Sequence, residues 1–296
     1  MMSVPPDREA RGVPIRYIIP NLLTTTSLCC GLAAVHFSIK AVFGPAADNT
    51  PQFGDWDRAL ASVALSAIFD ALDGRAARLL RVTSRFGAVL DSLSDFVSFG
   101  VAPALMLYLW SLRGEDALGL AAAVVFTLCS GLRLARFTAM ASTKAQLPTP
   151  QAQVLKGYFA GCPTPAAAGA VLIPIMLAQS RKVAWTMPAW GVIALTFFVA
   201  WLMISRRPMF SFKRVRVKRA LVVPLLALAG LAVILTAKDP WLGAAALGGL
   251  YVASLPLSML SYHRAMLRAG AERKRSWSAA PPLGEQIREA TRQAGV

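Results

Sequence analysis

The chain has few residues of the kinds that bind transition metals or form covalent cross-links. Only four of its 296 residues are cysteine, and only two are histidine. The cysteines all lie within apolar runs and form no Cys-x-x-Cys pair; they are Cys29, Cys30, Cys129 and Cys162. We therefore expect reduced, buried thiols that behave as small hydrophobic side chains. We therefore expect neither a zinc site nor a disulfide framework.

Acidic residues are also scarce. There are 15 Asp and Glu against 31 Lys and Arg, so the formal net charge is +16. A nucleic-acid-binding protein would collect such an excess on one soluble face. Here the basic residues lie in short segments between apolar runs, which is typical of loops that face an anionic cytoplasmic leaflet. We therefore expect anionic membrane lipids as partners, and no nucleic acid.

Long apolar runs dominate what is present, because 56% of the residues are hydrophobic. Several runs reach the ~20 residues that a helix needs to cross a ~30 Å hydrocarbon core. Segments that span lipid are helical, since every backbone polar group must be satisfied internally. The sequence predicts an all-α integral membrane protein with about eight transmembrane helices. They lie near residues 18–43, 59–81, 88–112, 117–140, 158–179, 187–205, 220–237 and 241–262.

Prolines and flanking segments refine this division of the chain. Pro163, Pro165 and Pro174 are expected to bend or break the fifth span. Residues 1–17 form a polar N-terminal segment, and the apolar run after it is too long for a signal-peptide core. We expect residues 18–205 to form the main transmembrane domain, 206–262 a C-terminal helix pair, and 263–296 a basic cytoplasmic tail.

The distribution of basic residues predicts the orientation of the chain. With eight alternating spans and a cytoplasmic N-terminus, most Lys and Arg residues fall on the cytoplasmic side. The other side keeps only Lys40, Arg58, Arg113, Arg181, Lys182 and Lys238. The N- and C-termini are therefore both predicted to be cytoplasmic.

Four aspartates interrupt the second and third predicted spans, where charged side chains are costly and usually functional. Asp70 and Asp73 are three residues apart, and Asp91 and Asp95 are four apart, so each pair shares one face of a helix. A polar turn between the pairs would place them on neighbouring antiparallel helices. Four carboxylates in a low dielectric need compensation, which hard divalent cations supply. Two such ions suit a phosphoryl-type displacement.

Two other interpretations of the aspartates stay open on the residues alone. They can form salt bridges at the membrane surface with the neighbouring arginines, which are Arg75, Arg78, Arg81 and Arg85. They can also line the ion pathway of a cation transporter. A transporter would spread its acids along the pathway, whereas these aspartates lie at one depth and the later predicted spans contain none.

The spacing D-x2-D-G-x2-A-R-x8-G-x3-D-x3-D runs from Asp70 to Asp95. It resembles the signature of the CDP-alcohol phosphotransferases, with every fixed position present. The resemblance implies that Asp70, Asp73 and Asp91 bind Mg²⁺ or Mn²⁺, as one or two ions. It implies that Asp95 lies at the same metal site and is the base. It also implies a homodimer, a catalytic domain over residues 18–205, and a nucleotide site at Gly74, Ala77, Arg78 and Gly87.

Four further segments bear on the acceptor alcohol. They are RYIIPNLLTTTSLCCGLAA (16–34), SDFVSFGVAPALMLY (94–108), SGLRLARF (130–137) and FAGCPTPAAAG (159–169). Together they resemble the membrane-integral phosphatidylserine synthases of bacteria. This implies transfer of a phosphatidyl group from CDP-diacylglycerol to L-serine, giving phosphatidylserine and CMP. It also implies a site that faces the cytoplasm from the bacterial inner membrane. A sister enzyme that uses choline, inositol or glycerol phosphate stays open.

Four residues are expected to contact the substrates: Asn21, Thr24, Arg133 and Arg136. The two arginines lie three residues apart in an apolar span, where the seryl carboxylate or the diphosphate would be a suitable partner. They can also extend to the interface without a substrate role. Asn21 and Thr24 begin the first span on the cytoplasmic side, and they either bind the ligand or satisfy backbone groups.

Overall fold

The described part of the chain is almost entirely helical. A computed structural model describes residues 15–44, 54–82, 84–143, 158–160, 162–180, 186–205, 208–210 and 239–254. The helices are α1 Ile15–Phe43, α2 Asp55–Leu79, α3 Arg85–Phe96, α4 Ala102–Trp110, α5 Asp116–Thr143, α6 Thr164–Val171, α7 Ile173–Gln179, α8 Ala189–Ile204 and α9 240–254. Two strands of three residues, β1 Tyr158–Ala160 and β2 Pro208–Phe210, pair in antiparallel fashion.

Three helical stretches are long and apolar enough to cross a membrane: Ile18–Phe43, Arg85–Trp110 and Asp116–Ala139. They coincide with the first, third and fourth predicted spans to within a few residues. On α5, exposed apolar side chains recur at every fourth residue, at Leu120, Val124, Leu128 and Leu132. A stripe of this kind forms one face of a helix and is expected against acyl chains rather than water. The protein is therefore an integral membrane protein built from helices.

The prediction of the fifth span is wrong for its first residues, but it is correct that prolines break the span. Residues 158–160 form β1, which pairs with β2, and helix α6 begins only at Thr164. Pro163 and Pro165 lie on either side of this first residue. Proline lacks the backbone N–H that the interior of a helix needs, so it is best tolerated at the start of a helix. A second interruption separates α6 from α7, whose first turn contains Pro174. The expected break by prolines is confirmed, although the all-α prediction missed the strand pair.

The remaining predicted spans have mixed outcomes. The second corresponds to α2, a helix of 25 residues whose aspartates and arginines lower its hydropathy. The sixth corresponds to α8, which has 16 residues. The eighth corresponds in part to α9. The seventh span (220–237), residues 1–14 and the basic tail (263–296) lie outside the described residues.

Small polar side chains hold α1 against the helices that carry the aspartates. The hydroxyl oxygens of Ser27 and Ser66 are 2.8 Å apart, and both residues are buried between α1 and α2. Ser98 donates to the Ser27 carbonyl at 3.3 Å. A Cβ atom at Gly31 would lie 2.8 Å from the Ser98 Cα. Glycine and serine thus let the backbones approach closely, as in other helix pairs in membranes.

A π-helical turn, Val97–Val101, joins α3 to α4 two residues after Asp95. Such turns interrupt the regular hydrogen bonding of a helix and are frequent at functional sites. Just before this turn, the Phe96 ring packs over Gly131 of α5, where an added Cβ would lie 3.2 Å from the ring. This packing brings α3 close to α5 and places the Arg133 turn of α5 beside the aspartates.

Candidate active site

The two aspartate pairs are brought together by a tight turn at the end of α2. The Val82 N–H donates to the Ala77 carbonyl at 3.0 Å, and the Arg81 N–H donates to the Arg78 carbonyl at 3.3 Å. Arg81 has φ = 52°, the left-handed conformation that this kind of helix cap requires. Val82 is buried directly after the cap. The chain therefore reverses direction within a few residues.

Helix α3 begins with a side-chain cap. The Ser84 hydroxyl oxygen accepts a hydrogen bond from the Gly87 N–H at 2.9 Å, which satisfies one of the free donors of the first turn. A Cβ atom at Gly87 would lie 2.9 Å from the Asn21 Oδ1. Glycine at this position therefore lets Asn21 of α1 approach the first turn of α3.

Three carboxylates converge where α2 and α3 face each other. One oxygen each from Asp70, Asp91 and Asp95 lies within 4.8 Å of the other two. Asp73 is buried beside them, and its Oδ2 accepts a hydrogen bond of 2.6 Å from the Thr24 hydroxyl. The structure thus places the two aspartate pairs at one site, with three of the four in the tight cluster.

Within the described residues, no basic side chain forms an ion pair with the cluster, as a purely structural role would require. Asp95 Oδ1 is buried and accepts no hydrogen bond within the described residues. In that same part of the chain, the ion pairs are Lys40–Asp55 and Arg58–Asp55, so the arginines near the cluster do not pair with it. The salt-bridge interpretation therefore finds no support. Three converging carboxylates with an unsatisfied buried oxygen fit a hard divalent cation.

An open pocket of about 180 Å³ lies beside the aspartates. Asp73 and Asp91 line it, together with five of the predicted substrate residues: Asn21, Thr24, Gly74, Ala77 and Gly87. A Cβ at Gly74 would meet nothing within 4 Å, so the wall is open there. Arg78 is exposed one turn beyond Gly74 and is not part of the lining.

The two predicted arginines of α5 have different surroundings. Arg133 is partly buried and donates from Nη1 to the hydroxyl of Thr164, which is fully buried. Its Nε is buried and has no acceptor within the described residues. Arg133 also lies close enough to Asp95 for the opposite charges to attract. Arg136 is exposed and donates to the Ile204 carbonyl at 3.2 Å. Of these two arginines, only Arg133 therefore has a buried N–H group without an acceptor within the described residues.

Sequence reasoning missed three side chains near Arg133. Thr164 lies in one of the segments that indicated the acceptor, but no role was predicted for it. Cys162 was predicted only as a small hydrophobic residue, yet its sulfur lies 3.5 Å from the Tyr251 hydroxyl. Tyr251 belongs to α9 and carries no signal in the sequence. All four cysteines are free thiols, as predicted, although Cys29 is exposed on α1 rather than buried.

Comparison of the sequence with known proteins identifies a family. Residues 17–205, well over half of the chain, match the family described as CDP-alcohol phosphatidyltransferase. Residues 220–256 match a second description, CDP-alcohol phosphatidyltransferase 2. The first match contains every aspartate and arginine of the site, and the second contains Tyr251.

Individual relatives share one name, CDP-diacylglycerol–serine O-phosphatidyltransferase. The protein from Mycobacterium tuberculosis (strain H37Rv) is 30% identical over 287 residues, which cover 97% of this chain and 92% of that protein. The one from Helicobacter pylori (strain J99) is 34% identical over 161 residues, covering 54% and 58%. The one from Methanocaldococcus jannaschii is 58% identical over 73 residues, covering 25% and 35%. The chain belongs to the CDP-alcohol phosphatidyltransferase family.

Proposed function

We propose that the protein transfers the phosphatidyl group of CDP-diacylglycerol to L-serine, giving phosphatidylserine and CMP. The observation that carries the proposal is the convergence of Asp70, Asp91 and Asp95 within 4.8 Å beside an open pocket. Membership of the family supports the transfer of a phosphatidyl group, and the name shared by the relatives supports serine as the acceptor.

The aspartate cluster would hold a divalent cation, Mg²⁺ or Mn²⁺. Asp70, Asp91 and Asp95 would supply ligand oxygens, with Asp73 adjoining them and oriented by Thr24. When bound, the ion neutralises the charge of the diphosphate and of the departing CMP. The pocket walls formed by Gly74, Ala77 and Gly87 would accept the nucleotide part of the lipid, with the exposed Arg78 reaching its phosphate oxygens.

Asp95 is proposed as the general base. Its buried and unsatisfied Oδ1 can accept the proton of the serine hydroxyl. The serine oxygen attacks the phosphorus atom that carries the diacylglycerol, forming a new P–O bond. The bond from that phosphorus to the bridging oxygen of the diphosphate breaks, and CMP leaves with the electron pair.

Arg133 is proposed to bind the carboxylate of the serine. Its Nη1 is anchored on Thr164, its Nε is free within the described residues, and it lies near Asp95. An arginine held in this way orients a carboxylate without having to become ordered first. Arg136 has a smaller role, because it is exposed and donates to a backbone carbonyl. Asn21 and Thr24 contribute from the wall of the pocket.

The arrangement in the membrane is also part of the proposal. Eight spans with both termini in the cytoplasm would place the aspartates at the cytoplasmic side of the bacterial inner membrane, where a soluble acceptor meets a lipid-bound donor. The basic segments would lie against anionic lipids. Residues 18–205 would form the catalytic domain of a homodimer, followed by the helix pair 206–262 and the tail 263–296.

Purified full-length protein in detergent, given CDP-diacylglycerol and a panel of alcohols, tests this function. We expect CMP release and phosphatidylserine with L-serine, and little release with choline, inositol or glycerol phosphate. Excess chelator should abolish the reaction, and Mg²⁺ or Mn²⁺ should restore it. Full activity in excess chelator would remove the metal from the proposal, whereas preference for another alcohol would reassign the acceptor within the family.

A further inference from the structure

Helix α9 contacts the acceptor side of the site through the side chain of Tyr251. The Tyr251 hydroxyl oxygen lies 3.5 Å from the Cys162 sulfur. Cys162 is 2% exposed, and Tyr251 is partly buried. A phenol and a thiol can each donate to the other, so this contact is a hydrogen bond. It joins the last described helix to the short segment Cys162–Thr164, which ends at the first residue of α6.

That same segment holds Arg133. Thr164 lies two residues after Cys162 and accepts the hydrogen bond of Arg133 Nη1. The Cys162 backbone N–H donates to the Leu202 carbonyl of α8 at 3.4 Å. The segment Cys162–Thr164 is therefore fastened to α5 by Arg133, to α8 by its backbone and to α9 by Tyr251. The buried Nε of Arg133 donates to no acceptor within the described residues.

We propose that Tyr251 is a positioning residue that sets the affinity for a carboxylate-bearing acceptor. By holding Cys162, it keeps Thr164 in place, and Thr164 in turn fixes the guanidinium of Arg133 with one N–H free for the carboxylate. The inference rests on the proposed function, because it assumes that the acceptor is an amino acid. It assigns to α9, which lies outside the main family match of residues 17–205, a part in choosing the acceptor.

The test measures KM for each substrate separately in full-length Tyr251→Phe. Loss of one neutral hydrogen bond should raise KM for L-serine by about threefold to tenfold. KM for CDP-diacylglycerol and the unfolding temperature in detergent should stay at the wild-type values. Tyr108→Phe is the matched control, since Tyr108 is also partly buried but packs against the apolar core from α4. It should leave both KM values unchanged.

Cys162 variants show whether the effect passes through the contact. Cys162→Ser keeps a hydroxyl for Tyr251 and should bind serine like the wild type, whereas Cys162→Ala should reproduce Tyr251→Phe. The double variant Tyr251→Phe/Cys162→Ala should be no worse than either single variant, because both remove the same interaction. Additive losses would overturn the inference, as would an unchanged serine KM or an equal rise in both KM values.

The outcome for the proposed function is read from the wild type alone. A wild-type protein that uses another alcohol of the panel instead of serine refutes the serine assignment. In that case the variants are assayed with the preferred alcohol, and an acceptor KM unchanged by Tyr251→Phe overturns the role of Tyr251 as well.

Discussion

At the scale of single residues, the aspartates of the site differ in what surrounds them. Asp73 is buried and accepts a hydrogen bond from Thr24, so one of its oxygens is already oriented. Asp95 has a buried oxygen that receives no hydrogen bond within the described residues. A buried and unsatisfied carboxylate oxygen is available to a proton or a cation. The structure therefore distinguishes Asp73 from Asp95, whereas the spacing of the motif alone gives no reason to treat them differently.

Replacing Asp95 with Asn tests its role as the base. Asparagine keeps the size of the side chain but cannot accept a proton as a carboxylate does. Turnover should fall by about 10²–10⁴, while binding of CDP-diacylglycerol is mostly retained. Asp70→Asn should instead weaken both metal and nucleotide binding, and the two losses should not add. CMP release and equilibrium binding measure the two effects. Near wild-type turnover in Asp95→Asn would exclude it as the base.

Replacing the arginines of α5 tests the assignment of the acceptor site. Arg133→Ala removes a charged donor to the acceptor, which is worth about 1.5–3 kcal/mol, so KM for serine should rise by about 10- to 100-fold. Arg136→Ala should have a smaller effect. Arg113→Ala is the control, because Arg113 lies over the Phe43 ring at 5.3 Å, at the opposite end of α1 from Asn21. Equal effects at Arg133 and Arg136 would contradict the assignment.

At the scale of the elements, the turn between α2 and α3 determines how the two aspartate pairs meet. Sequence reasoning predicted this turn and the facing helices, because a polar segment between two short aspartate repeats is a local signal. It missed the pairing of β1 with β2 and the contact between Cys162 and Tyr251. The latter joins residues 89 positions apart, so it depends on how the whole bundle packs and not on any local pattern.

Removing the cap of α3 tests the contribution of this turn. Ser84→Ala leaves the Gly87 N–H without its acceptor and should cost about 1 kcal/mol of stability. Ser84→Thr keeps a capping hydroxyl and should recover most of the loss. Ser92→Ala is the matched control, since its hydroxyl donates to the Ala88 carbonyl inside the same helix. Thermal unfolding in detergent measures all three. Equal unfolding temperatures for Ser84→Ala and Ser92→Ala would show that the cap contributes nothing.

At the scale of the whole molecule, hydropathy predicted the three long spans well, because composition alone determines which helices can enter lipid. It was less successful where prolines interrupt the apolar pattern, as in the α6–α7 pair. The predicted orientation of the chain depends on the distribution of its basic residues, which indicates where loops lie and not how helices pack.

Labelling of introduced cysteines tests that orientation. Single cysteines at Lys213 and Ser276, both outside the described residues, should react with a membrane-impermeant reagent only from the cytoplasmic side. The reason is that both lie in strongly basic segments. Intact cells expose the outer side of the membrane to the reagent, and inverted vesicles expose the cytoplasmic side. The unmodified chain serves as the control for its native cysteines. Labelling of the two sites from opposite sides would mean that the span count is wrong by an odd number.

The tight turn between the aspartate pairs also has a consequence for biogenesis. The cluster is built from one hairpin, between Asp70 and Asp95, so its parts are near each other as soon as that hairpin has been made. The contacts near Arg133 are different, because the one between Cys162 and Tyr251 needs α9, which is made much later. Chains are made from the N-terminus, and close contacts in sequence form before distant ones. The carboxylates therefore come together during synthesis well before Tyr251 can contact Cys162.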